Sequence, residues 1–233
     1  MKIAIMQPYL FPYLGYFQLI AAVDKFIILD DVNYKKKGWI NRNNILLDGN
    51  PYTFTMPISS ASQNTKINQL YLPESNQWAR RFLKTIAQAY GRARHFQQVS
   101  QLLEEILTYS QRNLSDYLSN AIVRVCGYIG MGTEIIGSSS VYGNSELKSE
   151  QRIIDICVQM RATKYINSPG GRALYKSESF DKYGIELEFL PSLDASYRQW
   201  TDTFTPNLSI IDAMMFNSPS ELAALLDGNR IGS

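Results

Sequence analysis

Residues 1–43 read MKIAIMQPYLFPYLGYFQLIAAVDKFIILDDVNYKKKGWINRN, and this stretch decides the fold. Lys2–Met6 is a short apolar run, and residues 7–15 break it with two prolines, a glycine and tyrosines. That pattern predicts a strand followed by a constrained loop. From Tyr16 onward Phe17, Leu19, Ile20 and Val23 recur at helical spacing, and residues 25–29 (KFIIL) form a second β-branched run. The unit is β-loop-α-β. Its strands are parallel and its crossover right-handed, so the loop after each strand opens at the same edge of the sheet. Two polar clusters, residues 7–16 and 30–43, therefore face one crevice.

The remaining chain extends this pattern. Residues 44–47 and 52–56 alternate around Asp48-Gly49-Asn50, which predicts a β-hairpin. Residues 66–72 read as a further strand. Helices are expected over 78–90, 96–109 and 114–129, the first ending at Gly91 and the third at Gly130. Strand and helix then alternate: strand 133–136, helix 149–160, strand 165–166, helix 177–183 and strand 186–190. The expected architecture is α/β, a mostly parallel, doubly wound sheet with a hairpin and strand insertion (44–72) and a helical crossover (73–130), in one domain over residues 1–233. No linker-like tract divides the chain, and 233 residues suffice for one substantial core.

Composition narrows the function classes. A net charge of +2 gives no global case for nucleic-acid binding, DNA included, or for membrane-surface binding, and leaves only a local basic patch open. Cys126 and Cys157 lie within apolar helical patterns, which reads as buried thiols in a reducing compartment. Pro8 and Pro12 interrupt the apolar start well short of the roughly 20 residues of a membrane helix, so a cytoplasmic location is expected. The sole histidine, His95, stands away from the expected sheet edge, and neither CxxC nor a Walker or GxGxxG pattern occurs. No metal site and no nucleophile of the chain's own is apparent.

Candidate residues cluster after the strands. Gln7, Tyr9, Tyr13, Gly15 and Tyr16 occupy the first loop, where helix-terminal amides hold anions and aromatic rings stack on a base or sugar. Asp30 and Asp31 follow the second strand. A carboxylate there either orients a hydroxyl or amine and acts as general base, or caps a turn and pairs with Lys35, Lys36 or Lys37. Lys37, Trp39, Asn41 and Arg42 combine charge, an aromatic and an amide in a loop suited to phosphate. Asn167, Ser168, Gly170, Gly171 and Arg172 form a glycine-bearing loop after the fourth strand, with Tyr175 near the same edge; a plain β-turn is the competing reading.

The segments at residues 7–45, RNLSDYLSNAIVRVCGYIGMGTEIIGSSS at 112–140, RIIDICVQMRATKYINSPGGRALY at 152–175, FDKYGIELEFL at 180–190 and FTPNLSIIDAMMFN at 204–217 resemble the WbqC-like protein family over nearly the whole chain. Members of that family occur in bacterial gene clusters for O-antigen and other surface polysaccharides, and some are proposed to attach an amino acid to a sugar. The resemblance implies a nucleotide-linked sugar or a related anionic sugar as substrate. A more distant likeness, strand, Pro-x-x-Gly loop, helix, strand, Asp, is to the Rossmann-like nucleotide-binding half of HxGH-type nucleotidylyltransferases. Pro12-Tyr13-Leu14-Gly15-Tyr16 stands at that motif, with Tyr13 and Tyr16 where the pattern has histidines. Tyrosines stabilise developing charge on phosphate less well, so this likeness bears on fold more than reaction.

Three functions follow as expectations. The first is an aminoacyl or acyl transferase of O-antigen or lipopolysaccharide biosynthesis acting on a nucleotide-activated sugar. Its donor arrives already activated, as an acyl thioester or aminoacyl-tRNA, which needs positioning and one base and no nucleophile. Asp30 or Asp31 would be that base. The second is an ATP- and Mg²⁺-dependent ligase or nucleotidylyltransferase in the same cleft. The third is a non-catalytic nucleotide-sugar-binding protein.

Overall fold

The computed structural model describes residues 1–191, 195–201 and 203–227. Five parallel strands form the central sheet: β1 (Lys2–Met6), β2 (Lys25–Ile28), β5 (Glu134–Ile136), β6 (Lys164–Asn167) and β7 (Glu186–Phe189), in spatial order β5-β2-β1-β6-β7. Helices α1 (Leu14–Ala21), α2 (Gln77–Tyr90), α3 (Phe96–Leu107), α4 (Leu114–Ile129), α5 (Ser149–Gln159), α6 (Ser177–Asp181), α7 (Ile210–Phe216) and α8 (Pro219–Leu226) flank it. The fold is Rossmann-like. Strands β3 (Arg42–Leu47) and β4 (Asn50–Thr55) make a separate antiparallel hairpin. Its two-residue turn has Asp48 and Gly49 both at positive φ, 50° and 75°, the geometry a tight hairpin needs.

Alternation along β1 and β2 splits the core across the sheet. Ala4, Phe26 and Ile28 belong to a cluster that includes residues of α1, α2, α3, α4, α7 and the hairpin; Ile3, Ile5 and Ile27 belong to a second with Ile153, Ile156, Tyr165 and Phe180. Each fully buried Ile or Phe contributes roughly 1.5–3 kcal/mol. Both cysteines are free and buried, Cys126 in the first cluster and Cys157 in the second.

Residues 66–72 depart from the expected strand. Ile67–Gln69 is a 3₁₀ turn, and Tyr71 makes isolated bridges to Ser59 and Asn113. Its backbone is satisfied by loops, with Leu72 N–H donating to the Arg112 carbonyl, so no sheet edge is needed. Helices α7 and α8 carried no expectation; a capping box between Ser218 and Glu221 starts α8. No helix among the described residues is long and apolar enough to cross a membrane.

Strand order reverses between β1 and β6. Loops leaving those two strands diverge, and the crevice so opened is where open parallel sheets bind ligands.

Candidate functional site

A cavity of about 360 Å³ lies at this reversal point. Tyr13, Leu14, Gly15 and Gln18 form one wall; Ser168, Pro169 and Gly170 form another; Tyr197, Phe204, Asn207 and Ala213 are among the residues that close it. The first loop is held from three directions. Asn43 Nδ2 donates to the Phe11 carbonyl at 2.7 Å, Ser209 Oγ donates to the same oxygen at 2.8 Å, and Ile210 N–H reaches Pro12 O at 2.9 Å. Phe11, at φ 44°, turns the chain into α1. The Gly15 amide in the first turn of α1 has no protein acceptor among the described residues, whereas the Leu14 amide is engaged by the antiparallel bridge between Tyr13 and Ser209, and no acid sits in that turn. The helix end presents one free donor and positive potential to the cavity. A Cβ placed at Gly15 would lie 2.5 Å from the Tyr13 ring, so a larger residue there has to push that ring aside.

Behind the far wall lies a carboxylate that sequence reasoning missed. Asp212, in the first turn of α7, is fully buried and accepts hydrogen bonds from Tyr90 Oη (2.7 Å), Tyr197 Oη (2.7 Å) and Gln199 Nε2 (2.8 Å). No cation pairs with it among the described residues. Burial raises its pKa, outweighing the three donors that favour the charged form. Tyr197 is itself pushed up by burial and then by the Asp212 charge, so its proton stays on Oη and is donated to Asp212. A lone acid in the apolar run 208–216 was the available signal.

Asp30 and Asp31 stand at the same sheet edge but on its other flank, between β2 and β5. Asp30 is 1% exposed and accepts from Ser115 Oγ at 2.7 Å, Ser138 Oγ at 2.8 Å and the Ser139 amide at 3.1 Å. Asp31, 6% exposed, bonds to Ser139 Oγ and pairs with the buried Arg152 guanidinium instead of the neighbouring lysines. Burial acts to raise the Asp31 pKa, but hydrogen bonds from Arg152 and Ser139 and the Arg152 charge hold it below the ordinary value. Arg152 is oriented in turn by Asn144, which bonds Asp155.

Of the expected site residues, the cavity brings together Tyr13, Gly15, Ser168 and Gly170. Tyr16 is buried, its ring packed on Phe26 and Tyr9 and its hydroxyl donating to the Gln7 carbonyl. Lys37 is exposed; Arg42 donates back to Gly38 O and Lys37 O and stacks on Trp39 at 5.4 Å, folding that loop on itself. Asn41 is buried between Tyr34 Oη and Met56 O. Asn167 turns inward to Tyr165 Oη and caps the Ser168 amide, and Gly171 packs against it. Arg172 lies over Phe189 at 5.1 Å, and Tyr175 packs edge-on against Tyr165.

The model of the WbqC-like protein family matches residues 7–224, which spans every wall of this cavity. The chain belongs to the WbqC-like protein family. A relative from Mycobacterium tuberculosis (strain ATCC 25618 / H37Rv), "Uncharacterized protein Rv1507c", is 32% identical over 224 residues, covering 94% of this chain and 95% of its own. No solved structure gives a significant match. For this WbqC-like protein, the cavity between the β1 and β6 loops is thus the candidate site, with Tyr197 in one wall and Asp212 behind it.

Proposed function

We propose that this WbqC-like protein is a transferase of bacterial surface-polysaccharide biosynthesis that moves an activated acyl or aminoacyl group onto the amine of a nucleotide-linked sugar. One observation carries the reading: an anion-attracting helix end at the strand-order reversal opens into a cavity of about 360 Å³. In this reading the Gly15 amide and the α1 dipole bind a phosphate of the sugar nucleotide, and Tyr13, Ser168 and Gly170 contact its remainder.

The proton acceptor in this reading is Asp212 acting through Tyr197. With its proton donated to Asp212, the Tyr197 oxygen accepts from a ligand N–H. As the amine's lone pair forms the C–N bond and the carbonyl–carrier bond breaks, the amine proton passes to Tyr197 while the Tyr197 proton passes to Asp212. Asp212 then returns it by the same path to the departing carrier atom. A raised carboxylate pKa suits such a base, whereas a carboxylate held low by an arginine suits it less. Asp30 and Asp31 accordingly hold the β5 loop and α5 in place. The family and the chain's lack of an evident nucleophile support a donor that arrives activated.

Incubating the protein with nucleotide sugars and activated donors, followed by product mass measurement, tests this. The expected product is a nucleotide sugar heavier by one acyl or aminoacyl group, formed without ATP. Release of AMP or pyrophosphate would instead mark a ligase, and unchanged ligands with a raised Tm would mark a binding protein.

A further inference from the structure

Between Glu74 and Glu104 the chain carries no acidic residue, yet it carries Arg80, Arg81, Lys84, Arg92 and Arg94. For a protein of net charge +2 this is a concentrated positive field. Helix α2 sorts these residues by face. Ala79, Phe82, Ile86, Ala89 and Tyr90 are buried, while Arg80, Arg81 and Lys84 are exposed on the opposite side, in line with Gln88. Arg92 and Arg94 follow the helix end and are also exposed. Among the described residues Arg80, Arg81, Lys84 and Arg92 have no carboxylate partner; Arg94 stands 3.9 Å from Glu221.

The ridge ends at a second cavity, of about 550 Å³, outside the candidate site. Trp200 is 52% exposed there, with Phe216 edge-on at 5.3 Å and Tyr90 at 6.2 Å. Arg92 sits 5.8 Å from the Trp200 ring centre. Asp48 and Gly49 of the hairpin turn complete the rim, Asp48 being its one acid among the described residues. A row of unpaired cations leading to an exposed aromatic ring is the pattern that holds single-stranded nucleic acid: phosphates lie on the cations and a base stacks on the ring. A mononucleotide handle would fill the cavity and leave the ridge unused. With 14 residues, α2 is about 21 Å long and offers charge over several successive phosphates.

We propose that the exposed face of α2 and the Trp200 cavity bind the single-stranded end of an RNA, with its terminal base on Trp200 and its phosphates on Arg80, Arg81, Lys84 and Arg92. Asp48 accepts from a ribose hydroxyl or a base amine. The site adjoins the candidate site, because Tyr90 of this cavity and Tyr197 of the other both bond Asp212. The role of that RNA as carrier of the activated aminoacyl group rests on the transferase reading; the binding itself does not.

Fluorescence anisotropy with a short labelled single-stranded RNA, over a salt series, measures this binding. Each neutralised phosphate contributes about −0.7 to the slope of log K against log salt. The triple variant Arg80→Glu/Arg81→Glu/Lys84→Glu should lower affinity at least about tenfold and flatten the slope by about two. Trp200→Ala should weaken binding about tenfold while leaving the slope unchanged. Matching thermal melts establish that the variants are folded. Gly15→Ala, placed in the other cavity, should leave RNA affinity intact, and a failed transferase reading would show as no sugar-nucleotide chemistry in the unaltered protein beside retained RNA binding. RNA that fails to bind at low salt, or that binds the triple variant equally, overturns the proposal. So does duplex RNA bound as tightly as single strands, or coenzyme A occupying the Trp200 cavity while RNA does not bind.

Discussion

Three carboxylates near the sheet edge differ in what surrounds them. Asp212 has hydroxyls and an amide but no cation, and Asp31 has Arg152. A base must be deprotonated to act, so transfer activity is expected to fall as pH drops through the raised Asp212 value, above the ordinary carboxylate range. Asp212→Asn should lower kcat about a hundredfold or more and remove that acid limb from the kcat/KM profile. Tyr197→Phe should reproduce the kcat loss, and a variant with wild-type kcat would exclude the relay. Asp31 has the opposite linkage. Its folded pKa is depressed, so its contribution to stability is fully present above the unfolded value near 3.8 and is lost as pH falls through the lower folded value. Arg152→Met leaves this buried charge unpaired and should cost about 3–5 kcal/mol in urea unfolding. Sequence located Asp30 and Asp31 correctly at the edge. It could not locate their partners, because Arg152 lies 121 residues from Asp31, and spacing along a chain carries no such contact.

At the scale of elements, the opening β-loop-α-β unit was readable because its evidence is local: apolar period, prolines and a glycine. Helix α1 begins at Leu14, two residues before the Tyr16 start that the apolar spacing suggested, so Gly15 lies in its first turn and not in the loop. Residues 66–72 misled because alternation alone cannot tell a strand from a loop whose amides are bonded elsewhere. The segment 195–201 with 203–208, which walls the cavity through Tyr197, Phe204 and Asn207, has no period to detect. Gly15 offers a test at this scale. Alanine favours helix by up to about 1 kcal/mol, yet its methyl group would displace the Tyr13 ring. Gly15→Ala is expected to keep or raise Tm while weakening sugar-nucleotide binding in calorimetry, and unchanged affinity would remove Tyr13 and the α1 end from the binding surface.

On the scale of the molecule, two apolar clusters share one sheet, each with one thiol reporter. Burial pushes Cys126 and Cys157 both up to about 12, which leaves almost no thiolate at neutral pH. If the sheet makes the two sides one cooperative unit, both thiols become reactive to a disulfide reagent in a single urea transition. Two separated transitions, one per cysteine, would mean that the chain folds as two units. The expectation of one domain rests on the missing linker, and a linker can be absent from a two-unit chain as well, so this measurement is its test. The hold on the first loop has its own consequence in time. Ser209 grips Phe11 across 198 residues of sequence, so during synthesis the loop emerges long before the group that fixes it. The candidate site is therefore assembled last, and nascent chains released before residue 209 would carry the β1 strand and its loop without a ligand-ready cavity.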